Sequence, residues 1–278
     1  MKTIRIALWV WYRGDFFRGF QSQLQGPTVQ DSLVGALTAI GLRSKPCPAG
    51  RTDKGVHARM QVISLRSPIG PEELLGHLSP HPFPGFGISY ARRAPEGFHA
   101  QWSNVGKEYR YRIRLGPGRA DRWAPFSWTV EDHPRLAGRR AIDLEALAPI
   151  VRALEGTRDF AAFHESSSPR RSRTVRTAQL FDLGDGLAEI RITGDRFARY
   201  QVRFMVGGAV AVAAGAIPPD TFAAALAGTE AIAGIKAPAS GLVLWDVHYP
   251  PAIDPFDPQE RREPEGLPAE PPFASVHR

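Results

Sequence analysis

The sequence predicts an α+β protein with two similar halves, each carrying largely antiparallel sheet with helices packed on it. Three observations predict it. Period-two apolar alternation recurs at Thr3 to Trp11, Met60 to Leu65 and Lys107 to Leu115, the pattern of half-buried strands. Helical runs lie between and after them, as at Thr28 to Gly41 and Val202 to Ala214. These elements do not follow the regular βαβα order of a doubly wound fold, and beyond Phe98 the mixture starts again. The expected division is residues 1–104, residues 105–252, and a proline- and charge-rich tail, residues 253–278, that reads as disordered.

Each element has a local cause. Thr3 to Trp11 ends at Arg13-Gly14-Asp15, a tripeptide that also spells an integrin-binding motif and that chance explains here. Thr28 supplies an N-cap, Val29, Leu33, Ala36, Leu37 and Ile40 one apolar face, and Gly41 the stop. Pro71-Glu72-Glu73-Leu74-Leu75 opens a short helix with proline in its first turn. Prolines break Ser79 to Pro84 before a strand near Ile88 to Ala91. Lys107 to Leu115 sets Tyr109, Tyr111, Ile113 and Leu115 against charged residues, a strand with one basic face. Asp143 begins a helix with Leu144, Leu147, Val151 and Leu154 toward a core, ending at Gly156. Strands follow at Thr174 to Leu183 and Leu187 to Thr193. Val202 to Ala214, rich in alanine and glycine, reads as a closely packed buried helix stopped by Gly215. Pro219 to Leu226 is a last short helix and Leu242 to Tyr249 a last strand.

Composition bounds the chemistry. The 278 residues, 43% hydrophobic, suffice for one large domain or two modest ones with a real core. Lysine and arginine number 35 against 28 acids, a net charge of +7. That balance favours a polyanionic partner, because neutralising phosphates releases counterions, and it equally suits a merely basic surface. The single cysteine, Cys47, excludes an internal disulfide and any cysteine-based zinc site. The start lacks a signal-peptide apolar block, and no window reaches membrane-spanning length, so the expectation is a cytoplasmic protein without a membrane partner. His164-Glu165 lacks the second histidine of a zincin, Gly116-Pro117-Gly118 is a turn rather than a phosphate loop, and the histidines show no ligand spacing. No metal and no cofactor are called for.

The stretch richest in chemistry is Gly50-Arg51-Thr52-Asp53-Lys54-Gly55-Val56-His57-Ala58. It sets one carboxylate, Asp53, on a tight loop between Arg51 and Lys54 and ahead of a strand, with cations nearby to hold it ionised. A turn aspartate bonded to its own backbone is the alternative.

This loop resembles the signature of the TruA family of tRNA pseudouridine synthases. Other segments agree in order: Gly19-Phe20-Gln21, Thr28-Val29-Gln30, Phe98-His99-Ala100, Lys107-Glu108-Tyr109-Arg110-Tyr111, Asp159-Phe160 with Phe163, Ser172-Arg173-Thr174, Phe197, Val202-Arg203, Val206-Gly207, Ala237-Pro238-Ala239 and Gly241-Leu242. The resemblance spans roughly residues 4 to 250. It implies isomerisation of uridine to pseudouridine in tRNA, on the 3′ side of the anticodon stem-loop at tRNA positions 38 to 40, without metal or cofactor. It further implies a homodimer and a catalytic cleft between the two halves. The N1–C1′ glycosidic bond breaks, the base rotates, and C5 rejoins C1′. By the same resemblance Asp53 is the essential carboxylate, acting on C1′ or on a ribose proton. Arg203 pairs with it, since a bidentate arginine keeps a carboxylate charged and oriented. Tyr109 is the active-site tyrosine that stacks on the base and handles the C5 proton; an ordinary core tyrosine is the alternative, as for Tyr111. The target must leave its stack, which asks for a basic approach surface. Arg51, Lys54 and Arg59, with Arg170, Arg171 and Arg173 of the cationic run Ser166 to Arg173, are the candidates.

The chain departs from the family pattern at several points. Arg13 stands where aspartate is common and Gln101 where arginine is usual, Ser79 to Pro84 carries extra prolines, and Tyr200 and Gln201 replace histidine and methionine. These departures bear on the choice of RNA. A paralogue acting on another uridine or RNA, and a non-catalytic RNA-binding protein on the same scaffold, are the rival readings.

Overall fold

The computed structural model describes residues 3–79, 84–116, 122–165, 171–229 and 234–262. Residues 80–83 of the proline-broken stretch, Pro117 and Gly118, residues 166–170 of the cationic run including Arg170, and the tail from residue 263 lie outside the described residues. In chain order the main elements are β1 (Ile4–Tyr12), α1 (Val29–Ala39), β2 (Cys47–Pro48), β3 (His57–Ser67), α2 (Pro71–Leu78), β4 (Phe86–Arg93), β5 (Gly106–Arg114), β6 (Trp128–Thr129), α3 (Leu144–Arg152), β7 (Gly156–Arg158), β8 (Arg173–Asp182), β9 (Leu187–Gly194), α4 (Gln201–Ala213), α5 (Pro219–Ala227) and β10 (Leu242–His248). Helices and strands pack together in a mixed α+β architecture, as the patterning predicts.

The chain divides into two compact units, one running to Lys107 and including the segment that starts at Val243, the other Glu108–Leu242. In the first, the strand order is β4–β1–β3–β10. β1 is antiparallel to both β3 and β4, with Leu8 opposite Ile63 and Ala91. The short β2 adds antiparallel to β3, Cys47 opposite Ser64. β10 joins β3 in parallel, Val243 opposite His57. The last strand of the chain thus belongs to the unit that the first strand starts.

The predicted ends of α1 are explained atom by atom. Thr28 Oγ1 accepts the Asp31 amide at 3.1 Å, an N-cap bond. At the other end Gly41 takes φ +78, while its amide and that of Leu42 donate to the carbonyls of Thr38 and Leu37, both at 2.9 Å. That is a Schellman stop, which favours glycine.

In the second unit the order is β5–β9–β8–β7. β8 and β9 form an antiparallel hairpin and β7 pairs antiparallel with β8, while β6 lies parallel to β5 with Trp128 opposite Ile113. α3 packs on β8 and on α4, and α4 contacts α5. Most of α4 is buried, as its small residues predict. A Cβ on Gly207 would stand 1.8 Å from the Ile235 carbonyl oxygen, so only glycine permits that approach. Gly156, expected to end α3, instead opens β7; the helix ends at Arg152.

The basic face of β5 differs from an ordinary solvated strand face. Arg112 is wholly buried, and so is Glu189 on neighbouring β9. Arg112 Nη2 lies 2.5 Å from Glu189 Oε2, Arg191 Nε lies 2.8 Å and Arg110 Nη1 3.7 Å from Oε1. Arg110 also holds Glu108 at 2.7 Å, and the Arg112 guanidinium sits 5.2 Å from the Trp123 ring centre. Burial pulls the Arg112 pKa down and the Glu189 charge pushes it back up, so the carboxylate offsets part of the cost of taking this guanidinium out of water.

Among the described residues no helix is long and apolar enough to cross a membrane. Removing the carboxylate of Glu189 leaves three guanidinium groups without their shared counter-charge. Glu189→Gln is expected to lower unfolding free energy by about 3–5 kcal/mol, whereas exposed Glu131→Gln should stay within about 0.5 kcal/mol; urea titration of both variants checks this.

Candidate active site

Asp53 sits in the loop between β2 and β3. Its carbonyl accepts the Val56 amide at 3.1 Å, closing a turn in which Gly55 has φ +84, a left-handed position that glycine adopts without strain. Two buried polar side chains hold the way in. Gln61 interrupts the apolar run of β3; it donates to the Gly50 carbonyl at 2.7 Å and accepts the Ala49 amide at 3.1 Å. Tyr12, at the end of β1, places its hydroxyl 2.7 Å from Thr52 Oγ1 and 3.4 Å from Gln61 Nε2. Burial pushes the Tyr12 pKa up to about 12, its two side-chain hydrogen bonds oppose that, and the Asp53 charge adds a smaller push upward. Tyr12 is therefore a neutral structural hydroxyl in the support of the Asp53 loop.

The loop is seated against residues 14–20 by direct backbone contact. A Cβ on Gly14 would lie 2.4 Å from the Gly55 carbonyl carbon and 2.5 Å from that of Val56. One on Gly19, itself at φ +98, would lie 2.9 Å from the Thr52 oxygen. Phe20 donates its amide to the Thr52 carbonyl at 3.1 Å. Gly14 donates to Nδ1 of the fully buried His57 at 3.0 Å, so this ring serves as an acceptor that fixes the loop. Arg13 forks onto Asp15, two residues on, at 3.2 and 2.7 Å.

A second support comes from the turn after β4. Asn104 Nδ2 donates to the carbonyls of Ala49 (3.4 Å), Ala100 (3.0 Å) and Gln101 (2.5 Å), and its Oδ1 accepts Lys107 Nζ at 2.8 Å. The Lys107 stem covers Gly50, whose Cβ would come within 3.0 Å of Lys107 Cε.

Tyr109 and Arg203 lie in the second unit. Tyr109, on β5, is buried with its ring edge-on to Phe197 at 5.3 Å. Arg203 lies in the first turn of α4. Its Nε donates to the Ala237 carbonyl at 2.7 Å, and its own carbonyl accepts the Ala237 amide at 3.1 Å. Its guanidinium also stands 5.3 Å from the ring centre of Tyr200, a residue at φ +63. Tyr111 is fully buried and donates its hydroxyl to the Pro238 carbonyl at 2.7 Å. Gly241 presses its backbone on that ring, since a Cβ there would meet Tyr111 Cε1 at 2.6 Å. The segment Ala237 to Gly241 thus aligns one arginine and one tyrosine through its own main chain.

The expected RNA-facing cations fall into different settings. Arg51 and Lys54 are exposed on the Asp53 loop, and Arg171 is exposed ahead of β8. Arg173 is buried; it donates to the Arg171 carbonyl at 3.1 Å, and burial pulls its pKa down against the charges of Asp159 and Asp195. Arg59 is half-buried, 5.4 Å from the Trp9 ring centre and 5.1 Å from that of Trp245, and reaches the Arg261 carbonyl at 3.4 Å. This is a packing position more than an approach surface. Sequence reasoning passed over Tyr12 and Asn104 and gave Lys107 no part beyond its place in the Lys107 to Tyr111 motif; Gln61, a polar residue inside an apolar strand, gave a signal that was not used. Among the described residues no group of three or more histidine, cysteine, aspartate or glutamate side chains could hold a metal ion.

Two outcomes follow from this packing. Gly14→Ala should cost about 1–3 kcal/mol of stability and speed hydrogen exchange at the Val56 amide. Tyr12 keeps its proton in the folded state to about pH 12, whereas an unfolded tyrosine releases it near pH 10. Its contribution is complete below pH 10 and is lost as pH rises through 12, about 3 kcal/mol in all. Tyr12→Phe should flatten that part of the alkaline stability profile, measured by denaturation between pH 9 and 12.

Residues 150–250 match the family model described as tRNA pseudouridine synthase. Proteins named tRNA pseudouridine synthase A are similar over most of their length. That of Syntrophotalea carbinolica is 36% identical, covering 90% of this chain and 98% of its own. That of a Roseiflexus species is 36% identical over 88% of this chain and 90% of its own. The Bacillus subtilis protein is 33% identical over 88% and 99%. Identity of this degree over nearly whole chains, together with the seated Asp53 loop, means that the chain belongs to the TruA family of tRNA pseudouridine synthases and is a pseudouridine-forming isomerase.

Proposed function

We propose that this protein isomerises uridine to pseudouridine in the anticodon stem-loop of tRNA, at positions 38 to 40. The observation that carries the reading is full-length similarity to tRNA pseudouridine synthase A proteins in a chain that keeps the Gly50 to Ala58 loop. The reading requires that Asp53, Tyr109 and Arg203 act on the same flipped nucleotide. Asp53 engages the ribose at C1′ or its neighbouring proton while the N1–C1′ bond breaks. Arg203 keeps that carboxylate ionised. Tyr109 stacks on the freed base and handles the C5 proton once C5 has joined C1′. Arg51, Lys54 and Arg171, exposed as they are, suit phosphate contact, with Arg170 of the same basic run as a further candidate; the buried Arg173 and the packed Arg59 support the fold rather than the RNA. The protein works as a homodimer in the cytoplasm and needs neither metal nor cofactor.

A change of target within the same chemistry is the second reading, favoured by Arg13, Gln101 and Tyr200. Arg13 puts a guanidinium, engaged by Asp15, where a carboxylate is common, and Tyr200 faces Arg199, Arg203 and Lys236.

Tritium release from C5-labelled uridine in tRNA tests the reaction. Wild type should release it, Asp53→Asn should be slower by at least about a thousandfold, and Tyr109→Phe by about a hundredfold or more. Release by Asp53→Asn at the wild-type rate would remove Asp53 from the chemistry, and no release by wild type from tRNA or total RNA would sink the enzymatic reading. Pseudouridine profiling of RNA from a deletion strain then identifies the modified positions.

A further inference from the structure

Trp102 is the most exposed aromatic side chain among the described residues of the first unit. It is 77% exposed, yet it stands on a turn held by many hydrogen bonds. His99 Nδ1 accepts the amides of both Gln101 and Trp102 at 3.2 Å. The His99 amide donates to Ser103 Oγ at 3.0 Å, and the Trp102 and Ser103 amides donate to the His99 carbonyl at 3.1 and 2.9 Å. The Ala100 amide reaches Ser64 Oγ at 3.1 Å, and the Ala100 carbonyl accepts the Tyr249 hydroxyl at 2.8 Å. The imidazole of His99 meets the indole edge-on at 5.8 Å. Because Nδ1 accepts, the ring proton of neutral His99 is on Nε2, which faces Cys47 Sγ at 3.5 Å. A mobile loop can hide an indole; this turn cannot, and it presents the ring to solvent.

The neighbourhood is cationic. Lys45 and Arg51 act on the Cys47 thiol and Arg5 acts on His99, and Lys45 and Arg51 are exposed. Asn104 joins the turn directly to the start of the Asp53 loop by donating to both Gln101 and Ala49. A flat, rigid, exposed π-surface among cations matches an unpaired nucleobase with its phosphates, since base stacking on an aromatic ring tolerates any base while lysine and arginine neutralise the backbone.

We propose that Trp102 is a stacking platform for an unpaired base of the substrate RNA, beside the nucleotide held at Asp53, with Lys45 and Arg51 on the adjoining phosphates. The inference rests on the tRNA reading above. It adds a contact that does no chemistry and that fixes the RNA strand relative to the Asp53 loop.

The experiment measures binding of a tRNA transcript across a salt series. Trp102→Ala should weaken binding about tenfold or more at every salt concentration, with the wild-type salt slope. Trp102→Phe should recover most of that loss. Trp102→Leu, which keeps apolar bulk against His99 without a π-face, should bind as weakly as Trp102→Ala. Lys45→Gln and Arg51→Gln should each reduce the salt slope by about one. Wild-type affinity in Trp102→Ala, or Trp102→Leu equal to Trp102→Phe, overturns the platform. Sedimentation showing that Trp102→Ala dissociates a self-associated wild type also overturns it, and assigns the indole to contact between copies. Absence of tritium release in wild type would refute the catalytic reading without altering these binding results.

Discussion

The main chain of residues 52–56 lies directly on the main chain of residues 14–20, with no side chain between them, and the candidate site depends on that contact. Gly14 and Gly19 permit it, because a methyl group at either would overlap backbone atoms, which cannot rotate aside as a side chain can. The hydrogen bonds from Phe20 to Thr52 and from Gly14 to His57 then fix the register of the two segments. A loop held in this way has few alternative conformations. The carboxylate it carries is therefore placed before any ligand arrives, which reduces the ordering that binding must impose.

The second unit uses the same device on different parts. Ala237 and Pro238 offer their carbonyls to Arg203 and Tyr111, Gly207 lets that segment meet α4, and Gly241 lets it meet the Tyr111 ring. Tyr200, at a left-handed backbone position, borders Arg203 on its other side. Both units thus orient ionisable side chains through main-chain groups, whose positions vary less than those of long side chains.

Much of this was legible in the sequence. The cap at Thr28, the stop at Gly41 and the buried small-residue helix over Gln201–Ala213 follow local rules, and local rules survive folding. The return of Leu242–His248 to β3 was not legible, because an apolar strand does not name its partner. Nor was the burial of Arg110 and Arg112, since alternation predicts which residues share a face but not whether that face meets water. The Asp53 loop stood out through its motif, while Tyr12, Gln61, Asn104 and Lys107 are scattered in sequence and converge only in space. The same holds for Arg59 and Arg173, which resemble surface cations in sequence and are, in the fold, packed against indoles and buried at the start of β8 respectively.

The buried cluster around Glu189 has a thermal consequence. Taking charges out of water is costly, but that cost shrinks as temperature rises, because the hydration of ions is entropically unfavourable, while the gain from burying apolar surface levels off. Arg110, Arg112 and Glu189 therefore weigh less heavily against the second unit when warm than when cold. Cooling works in the opposite direction, making these buried ions more costly as the hydrophobic contribution weakens. The low-temperature limb of the stability curve is where this unit carries its greatest electrostatic burden.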